Sequence, residues 1–171
     1  MKLPDDDTLA TTVLDAPIGR LRLAATDAGL VAVLFPNQKD VSFPMRDGSA
    51  GARAHLEQAA KALDKYFEGR KREFSGLTLA PSGTPFQMSV WRALSGIPYG
   101  ETRSYADIAR AIGNPKGMRA VGLANGKNPI PIIVPCHRVI GADGSLTGFG
   151  GGLPTKKWLL EFEGIATPRF V

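Results

Sequence analysis

The hydrophobic rhythm of the chain changes near its middle. Between Thr11 and Phe35, apolar and polar residues alternate in short runs: Thr11–Leu14, Arg20–Ala25 and Leu30–Phe35, separated by Pro17-Ile18-Gly19 and Asp27-Ala28-Gly29. Period-two alternation punctuated by turn residues predicts an antiparallel meander. Residues 1–7 are polar and acidic and read as a frayed tail. After a loop rich in Pro, Gly, Asp and Ser over residues 36–51, the period lengthens. Leu56, Ala59/Ala60, Leu63 and Phe67 recur at helical spacing, which predicts a helix over Ala52–Glu68 with Gly69 as its stop. Phe74–Leu79 reads as one more strand. Ala80–Thr84, with Pro81 and Gly83, reads as a linker, and the chain divides into residues 1–82 and 83–171.

The second half is predicted to be helical. Thr84-Pro85 offers an N-cap and a proline at the first helical position, and Phe86, Val90, Trp91 and Leu94 follow on one face. Pro98-Tyr99-Gly100 turns the chain, and Ser104 begins a short helix over Tyr105–Ile112 that Gly113 ends. Asn114-Pro115 is predicted to cap a third helix running to about Asn125. Two short helices joined by a tight glycine-containing turn suggest a helix-turn-helix. On the second of them Arg119, Gly122 and Gly126 share a face, and Met118 and Val121 are expected to point inward. Each glycine costs a helix about 1 kcal/mol against alanine, so two of them ask for a reason such as close approach to another surface. A last helix is predicted over Lys156–Glu163, capped by Pro154-Thr155, with Trp158, Leu159 and Phe162 in the core. Glu161 and Glu163 lie about 200° apart on it, so only one can face inward.

Between these helices lies Ile130-Pro131-Ile132-Ile133-Val134-Pro135-Cys136-His137-Arg138-Val139-Ile140, which holds the only cysteine and one of the two histidines. Val134 is biased to extended geometry by the following proline, whose own φ is fixed, so the backbone delivering the thiol is stiff. Cys-His-Arg places a thiol, a base and a cation within three residues, and a base or positive charge raises the thiolate fraction of a thiol. The alternative is an inert buried cysteine. A zinc site is disfavoured, since no paired-cysteine spacing exists. His55, on the first helix with no partner in sight, reads as a plain surface or boundary histidine. The loop from Gly141 to Gly152 has six glycines in twelve residues and can bring backbone N–H groups close to a ligand, but it lacks the ending of a phosphate-binding loop.

Composition bounds the rest. With 171 residues, 43% of them hydrophobic, the chain can bury a sound core. A single cysteine excludes an internal disulfide, and no apolar run approaches a membrane span or signal peptide, so a reducing, cytoplasmic setting is expected. The net charge of +5 suits a polyanion, and Arg110, Lys116, Arg119, Lys127 and Arg138 concentrate it near the thiol.

Asn128-Pro129-Ile130-Pro131-Ile132-Ile133-Val134-Pro135-Cys136-His137-Arg138-Val139 is preceded by Ser104-Tyr105 and Arg119-Ala120-Val121-Gly122. It is followed by Gly151-Gly152-Leu153, Trp158-Leu159-Leu160 and Glu163-Gly164. Over roughly residues 85–164 this pattern resembles the O6-alkylguanine-DNA alkyltransferases, the methylated-DNA–protein-cysteine methyltransferases. The resemblance implies an α/β (α+β) chain, with a ribonuclease H-like antiparallel sheet and helix first and a winged-helix or helix-turn-helix-like catalytic domain second. It implies that Cys136 accepts the alkyl group once and irreversibly, that His137 is its base through a water, and that Glu163 orients His137. Asn128 would brace the active-site turns and Tyr105 would protonate the departing guanine. Arg119 would fill the space left by a flipped nucleotide. Ala120, Gly122, Ser104, Lys116, Lys127 and Arg138 would meet DNA, and Pro131, Val139, Phe149 and Gly150 would line the substrate pocket. The implied partner is duplex DNA carrying O6-alkylguanine, with O4-alkylthymine left open, met by a monomer without cofactor or metal.

Some relatives hold zinc through cysteines in the first half, which this chain lacks, and others carry a further N-terminal domain for which 171 residues leave no room. Position 150 is glycine where some relatives have a hydroxyl residue, though a backbone N–H would still serve O6. Related proteins without the nucleophile bind DNA only, and Cys136 argues against that class. Two rivals stand beside this reading. A DNA-binding module without chemistry would leave Cys136-His137 idle, and a cysteine hydrolase would leave the arginine-and-glycine face unexplained.

Overall fold

A computed structural model describes residues 1–166. The chain forms two compact units, Met1–Ser82 and Gly83–Val171. No described helix is long and apolar enough to cross a membrane.

In the first unit, β1 (Ala10–Ala16), β2 (Gly19–Thr26) and β3 (Gly29–Leu34) form an antiparallel sheet in the order β1-β2-β3. Both hairpins close over two residues, pairing Ala16 with Gly19 and Thr26 with Gly29. The helix α1 (Ala50–Phe67) packs on this sheet with Ala52, Leu56, Ala59, Ala62, Leu63 and Tyr66 buried. It begins two residues before the predicted Ala52 because Ser49 accepts a hydrogen bond from the Ala52 N–H and serves as the cap. The predicted strand at Phe74–Leu79 does not form. The segment touches the sheet at one bridge, with the Leu30 N–H donating to the Thr78 carbonyl at 2.9 Å and the Ala80 N–H to the Leu30 carbonyl at 2.7 Å. His55 is half-buried, its Nε2 3.3 Å from the Asp27 carbonyl.

In the second unit, α2 (Pro85–Leu94) opens with a full capping box between Thr84 and Gln87. Trp91 is buried, and its indole N–H donates to the Ala124 carbonyl at 2.9 Å, tying α2 to α4 (Met118–Gly126). A Cβ at Gly83 would stand 2.4 Å from the Trp91 ring, so the residue leading into α2 has to be glycine. The two-residue strand β4 (Arg103–Ser104) feeds α3 (Tyr105–Ala111), capped by a second box between Ser104 and Asp107. The helices α3 and α4 pack together as the helix-turn-helix.

The fourth helix departs from expectation at its start. Asn114-Pro115 does not cap it; residues 114–117 are used in a turn in which the Gly117 N–H meets the Asn114 carbonyl at 2.9 Å, and the helix begins at Met118 without a side-chain cap. Met118 therefore sits at the helix mouth, 52% exposed, while Val121, Ala124 and Asn125 form the inner face. After a 3-10 turn (Cys136–Arg138), β5 (Val139–Ile140) runs parallel to β4. The last helix, α5 (Leu153–Phe162), starts three residues earlier than predicted, after Gly152 at φ 90°. Its core contacts are Leu159 and Leu160. Trp158 and Phe162 are half-buried and stack on each other at 4.9 Å instead of entering the interior.

Candidate active site

The turn that delivers the cysteine is held by one side chain. Asn128 accepts the Ile130 N–H at 3.0 Å and donates to the Val134 carbonyl at 2.8 Å, closing the segment between them. Within it Ile132 adopts φ 72°. A β-branched residue in the left-handed region costs on the order of 1–3 kcal/mol, and such strain persists only where surrounding contacts enforce it. Here those contacts are Asn128 and the Val134 N–H, which reaches the Ile130 carbonyl at 2.9 Å. Asn125 adds a longer donation to the Cys136 carbonyl at 3.4 Å.

Cys136 and His137 are buried, His137 completely. Glu163, at the end of α5, places Oε2 2.7 Å from His137 Nε2. The carboxylate also accepts from Arg138 Nε at 2.8 Å, from an Arg138 terminal nitrogen at 3.0 Å, and from the Gly100 N–H at 3.3 Å. Arg138 in turn donates to the Ile97 carbonyl at 2.7 Å and lies over the Tyr99 ring at 5.7 Å. With a bidentate guanidinium on it, Glu163 stays ionised, so the hydrogen on the imidazole belongs on Nε2. Burial pushes the histidine pKa below its ordinary value, against the upward pull of Glu163. A neutral ring results, with Nδ1 as the bare acceptor. Nδ1 is buried and has no hydrogen-bond partner among the described residues. It is the atom available to take a proton.

Arg138 therefore corrects the sequence reading. It was expected at the DNA surface, but it is 5% exposed and its guanidinium is engaged by Glu163 and Ile97. A surface position was a reasonable expectation for an arginine in a basic segment; the inward turn follows from the carboxylate that α5 brings beside it.

Burial raises the Cys136 thiol above its ordinary pKa, opposed by hydrogen bonding from Asn128 and by the positive charge of Lys156. Lys156 was not among the residues picked out from the sequence. Its side chain is fully buried, and Nζ donates to the carbonyls of Val139 at 2.7 Å and Thr147 at 3.0 Å. Tyr105, on α3, has its hydroxyl 2.8 Å from Thr147 Oγ1, and partial burial raises its pKa. It is a protonated donor at neutral pH.

Two family descriptions match the chain. Residues 85–165 fit the model described as 6-O-methylguanine DNA methyltransferase, DNA binding domain, and residues 9–81 fit its ribonuclease-like domain. The chain belongs to the 6-O-methylguanine DNA methyltransferase family. It is 50% identical over 153 residues to a methylated-DNA–protein-cysteine methyltransferase of Methanosarcina acetivorans, covering 89% of this chain and 96% of that one. A counterpart from Mycolicibacterium paratuberculosis is 51% identical over 150 residues, covering 88% and 89%. Among solved structures, Mycobacterium tuberculosis OGT in complex with DNA aligns at a TM-score of 0.80 and 49% identity, covering 90% of this chain and 92% of that one.

For a member of the methyltransferase family, the placement of the remaining residues matters most on α4 and the glycine-rich loop. Lys116, Arg119, Ala120, Leu123 and Lys127 are exposed, with Leu123 at 67%. Arg110 is also exposed, but it pairs with Asp107. A Cβ at Gly122 would meet the Tyr105 ring at an ordinary 3.8 Å, and one at Gly126 would enter open space. Nothing inside the protein demands glycine at either position. Ser104 is half-buried, its hydroxyl capping α3. Pro131 and Val139 are buried, Phe149 is half-buried and Gly150 is exposed. Sequence reasoning missed Lys156, Thr147, the Gly100 N–H and the strained Ile132. A backbone donor and a backbone strain leave little mark in residue types, and a lysine on a helix reads as solvent-facing.

Proposed function

We propose that the protein repairs O6-alkylguanine in duplex DNA by transferring the alkyl group to Cys136, once per molecule. The observation that carries this reading is a buried Cys136 followed in the chain by a neutral His137 whose Nδ1 is bare and whose Nε2 is tied to an Arg138-clamped Glu163. His137 Nδ1 takes the thiol proton through an intervening water, the sulfur attacks the alkyl carbon, and the O6–carbon bond breaks. Tyr105 donates its hydroxyl proton as negative charge grows on the purine, so that neutral guanine leaves. The product is a thioether and a repaired base, and nothing in the site cleaves the thioether. Asn128 braces the turn that carries the nucleophile.

A thiol buried in the protein reaches a base only if the base leaves the stack. The helix α4 suits the narrow groove, since Gly122 and Gly126 leave its backbone nearly bare and Ala120 adds little bulk. Arg119 occupies the gap beside the flipped nucleotide. Lys116, Lys127 and Ser104 meet phosphates. Pro131, Val139, Phe149 and Gly150 form the pocket, with the Gly150 N–H serving O6. The protein works as a cytoplasmic monomer without cofactor or metal, where its lone cysteine stays reduced.

Intact-mass measurement after incubation with an O6-methylguanine duplex tests the reading. One methylene increment per chain is expected, on the peptide that contains Cys136, with no further repair in excess substrate. Multiple turnovers, or an increment elsewhere, would overturn it.

A further inference from the structure

A proton donor has to aim its hydrogen. Tyr105 is the first residue of α3, and its ring lies beside α4, where a Cβ at Gly122 would stand 3.8 Å from it. Those contacts place the ring, but the hydroxyl hydrogen still rotates about the C–O bond. Among the described residues the phenolic oxygen has its hydrogen-bonding partners on Thr147 alone, Oγ1 at 2.8 Å and the carbonyl at 3.5 Å. The first is the usual O–H···O separation, and the second lies beyond it. Thr147 is exposed and Tyr105 half-buried, and the Thr147 carbonyl accepts from Lys156 Nζ at 3.0 Å, which pins the backbone that carries the hydroxyl.

Each hydroxyl owns one hydrogen and can accept two. At rest either oxygen of the pair can be the donor. Once a purine acceptor lies beside Tyr105 the direction is set: the tyrosine hydrogen points at the purine, so the hydrogen between the two hydroxyls has to come from Thr147. A chain of hydrogen bonds with one polarity strengthens each of its links. We propose that Thr147 is a positioning residue for the proton donor, its hydroxyl turning the Tyr105 hydrogen toward the purine and donating to the phenolic oxygen as that oxygen gives up its proton. The inference rests on the alkyl-transfer reading and deepens it. The Tyr105 O–H bond breaks as an N–H bond forms on the departing guanine, and the electron pair stays on the phenolic oxygen, held by the Thr147 O–H. Water, which reaches Thr147, returns the proton afterwards. Burial raises the Tyr105 pKa above its ordinary value, the hydrogen bond from Thr147 opposes that rise, and Cys136 pushes upward again. Of these three influences Thr147 is the one that eases proton release.

Thr147→Val removes the hydroxyl and keeps the branched shape; Thr147→Ser keeps the hydroxyl. In single-turnover transfer from an O6-methylguanine duplex, Thr147→Val should be slowed roughly three- to tenfold, the size of one hydrogen bond. Thr147→Ser should restore the parental rate. In a Tyr105→Phe background the Val substitution should cost nothing further, because the group it acts through is gone. Iodoacetamide modification of Cys136, which needs neither DNA nor a proton donor, should proceed at the parental rate in Thr147→Val. A parental transfer rate in Thr147→Val, an undiminished loss in the Tyr105→Phe background, or an equal slowing of iodoacetamide modification would each overturn the proposal. Should Thr147→Val fail to fold, Thr147→Ala, which also lacks the hydroxyl, carries the same expectations. Intact mass of the parent reports separately on the alkyl-transfer reading: without a methylene increment there, that reading fails and this proposal with it.

Discussion

The two units bury different chemistry. In the first, the buried side chains are those of a sheet and one helix, Leu21, Leu23, Leu34, Leu63 and their neighbours, and its buried polar side chains are uncharged, Thr11, Thr26 and Tyr66. In the second, the interior holds His137, Arg138, Lys156 and Glu163, together with Asn125 and Asn128. Hydrophobic burial is non-directional and roughly proportional to area, so the first unit tolerates exchange among residues of similar volume. Buried charge depends on geometry, and each member needs its partner in place. The second unit gives up part of the stability that an apolar interior would provide, and gains a histidine fixed in one tautomer.

The comparison is broken most strongly by Glu163→Gln. It leaves the Arg138 guanidinium buried without its carboxylate, and should cost about 3–5 kcal/mol of stability as well as most of the transfer rate. Leu63→Ala in the first unit should cost a similar ~2–5 kcal/mol while the rate per folded molecule is unchanged. Urea unfolding beside single-turnover kinetics checks both, and equal rate losses in the two variants would erase the distinction.

Tyr105→Phe sharpens the contrast by touching rate without stability. It removes a hydroxyl bonded to Thr147, and general acid catalysis is worth about 10²–10⁴-fold. The loss should shrink for a substrate whose leaving group is already a weaker base. A parental rate on both substrates at full DNA occupancy would reduce the ring to packing.

Arg119→Ala should act only where DNA must be opened. Transfer from duplex should slow by roughly tenfold or more, as expected for losing the side chain that holds a flipped nucleotide out of the stack. Reaction with free O6-benzylguanine should hardly change. Similar losses on both would remove Arg119 from the extrusion step.

The smallest effect concerns pH. His137 has its pKa lowered in the folded protein from an ordinary 6.5, so below that value the unfolded chain binds a proton that the folded one refuses. Stability from this group is therefore complete above about pH 6.5 and falls as the pH drops further, by up to about 1.4 kcal/mol per unit. Thermal or urea midpoints between pH 7.5 and 5.5 should decline less in His137→Gln than in the parent, provided the variant's parental-pH stability is used as its own reference. An identical decline would mean that the histidine titrates alike in both states.

Much of this protein is written in short-range signals. The meander with its two turns, the capping boxes at Thr84 and Ser104, and the adjacency of Cys136, His137 and Arg138 are all relations among residues a few positions apart, where backbone sterics and local hydrogen bonds decide the outcome. The pairing of His137 with Glu163 spans 26 residues and that of Tyr105 with Thr147 spans 42. Resemblance named the first; neither follows from periodicity. Nor could pattern tell Lys156 from Lys157. The two are adjacent on one helix, yet Lys156 is wholly buried on carbonyls from a strand and a loop, while Lys157 is exposed and lies 3.7 Å from Glu161. A helix turns about 100° between neighbours, which puts successive residues on different faces but does not say which face meets acceptors. That depends on where other segments place their carbonyls and carboxylates, and only the folded chain brings those together.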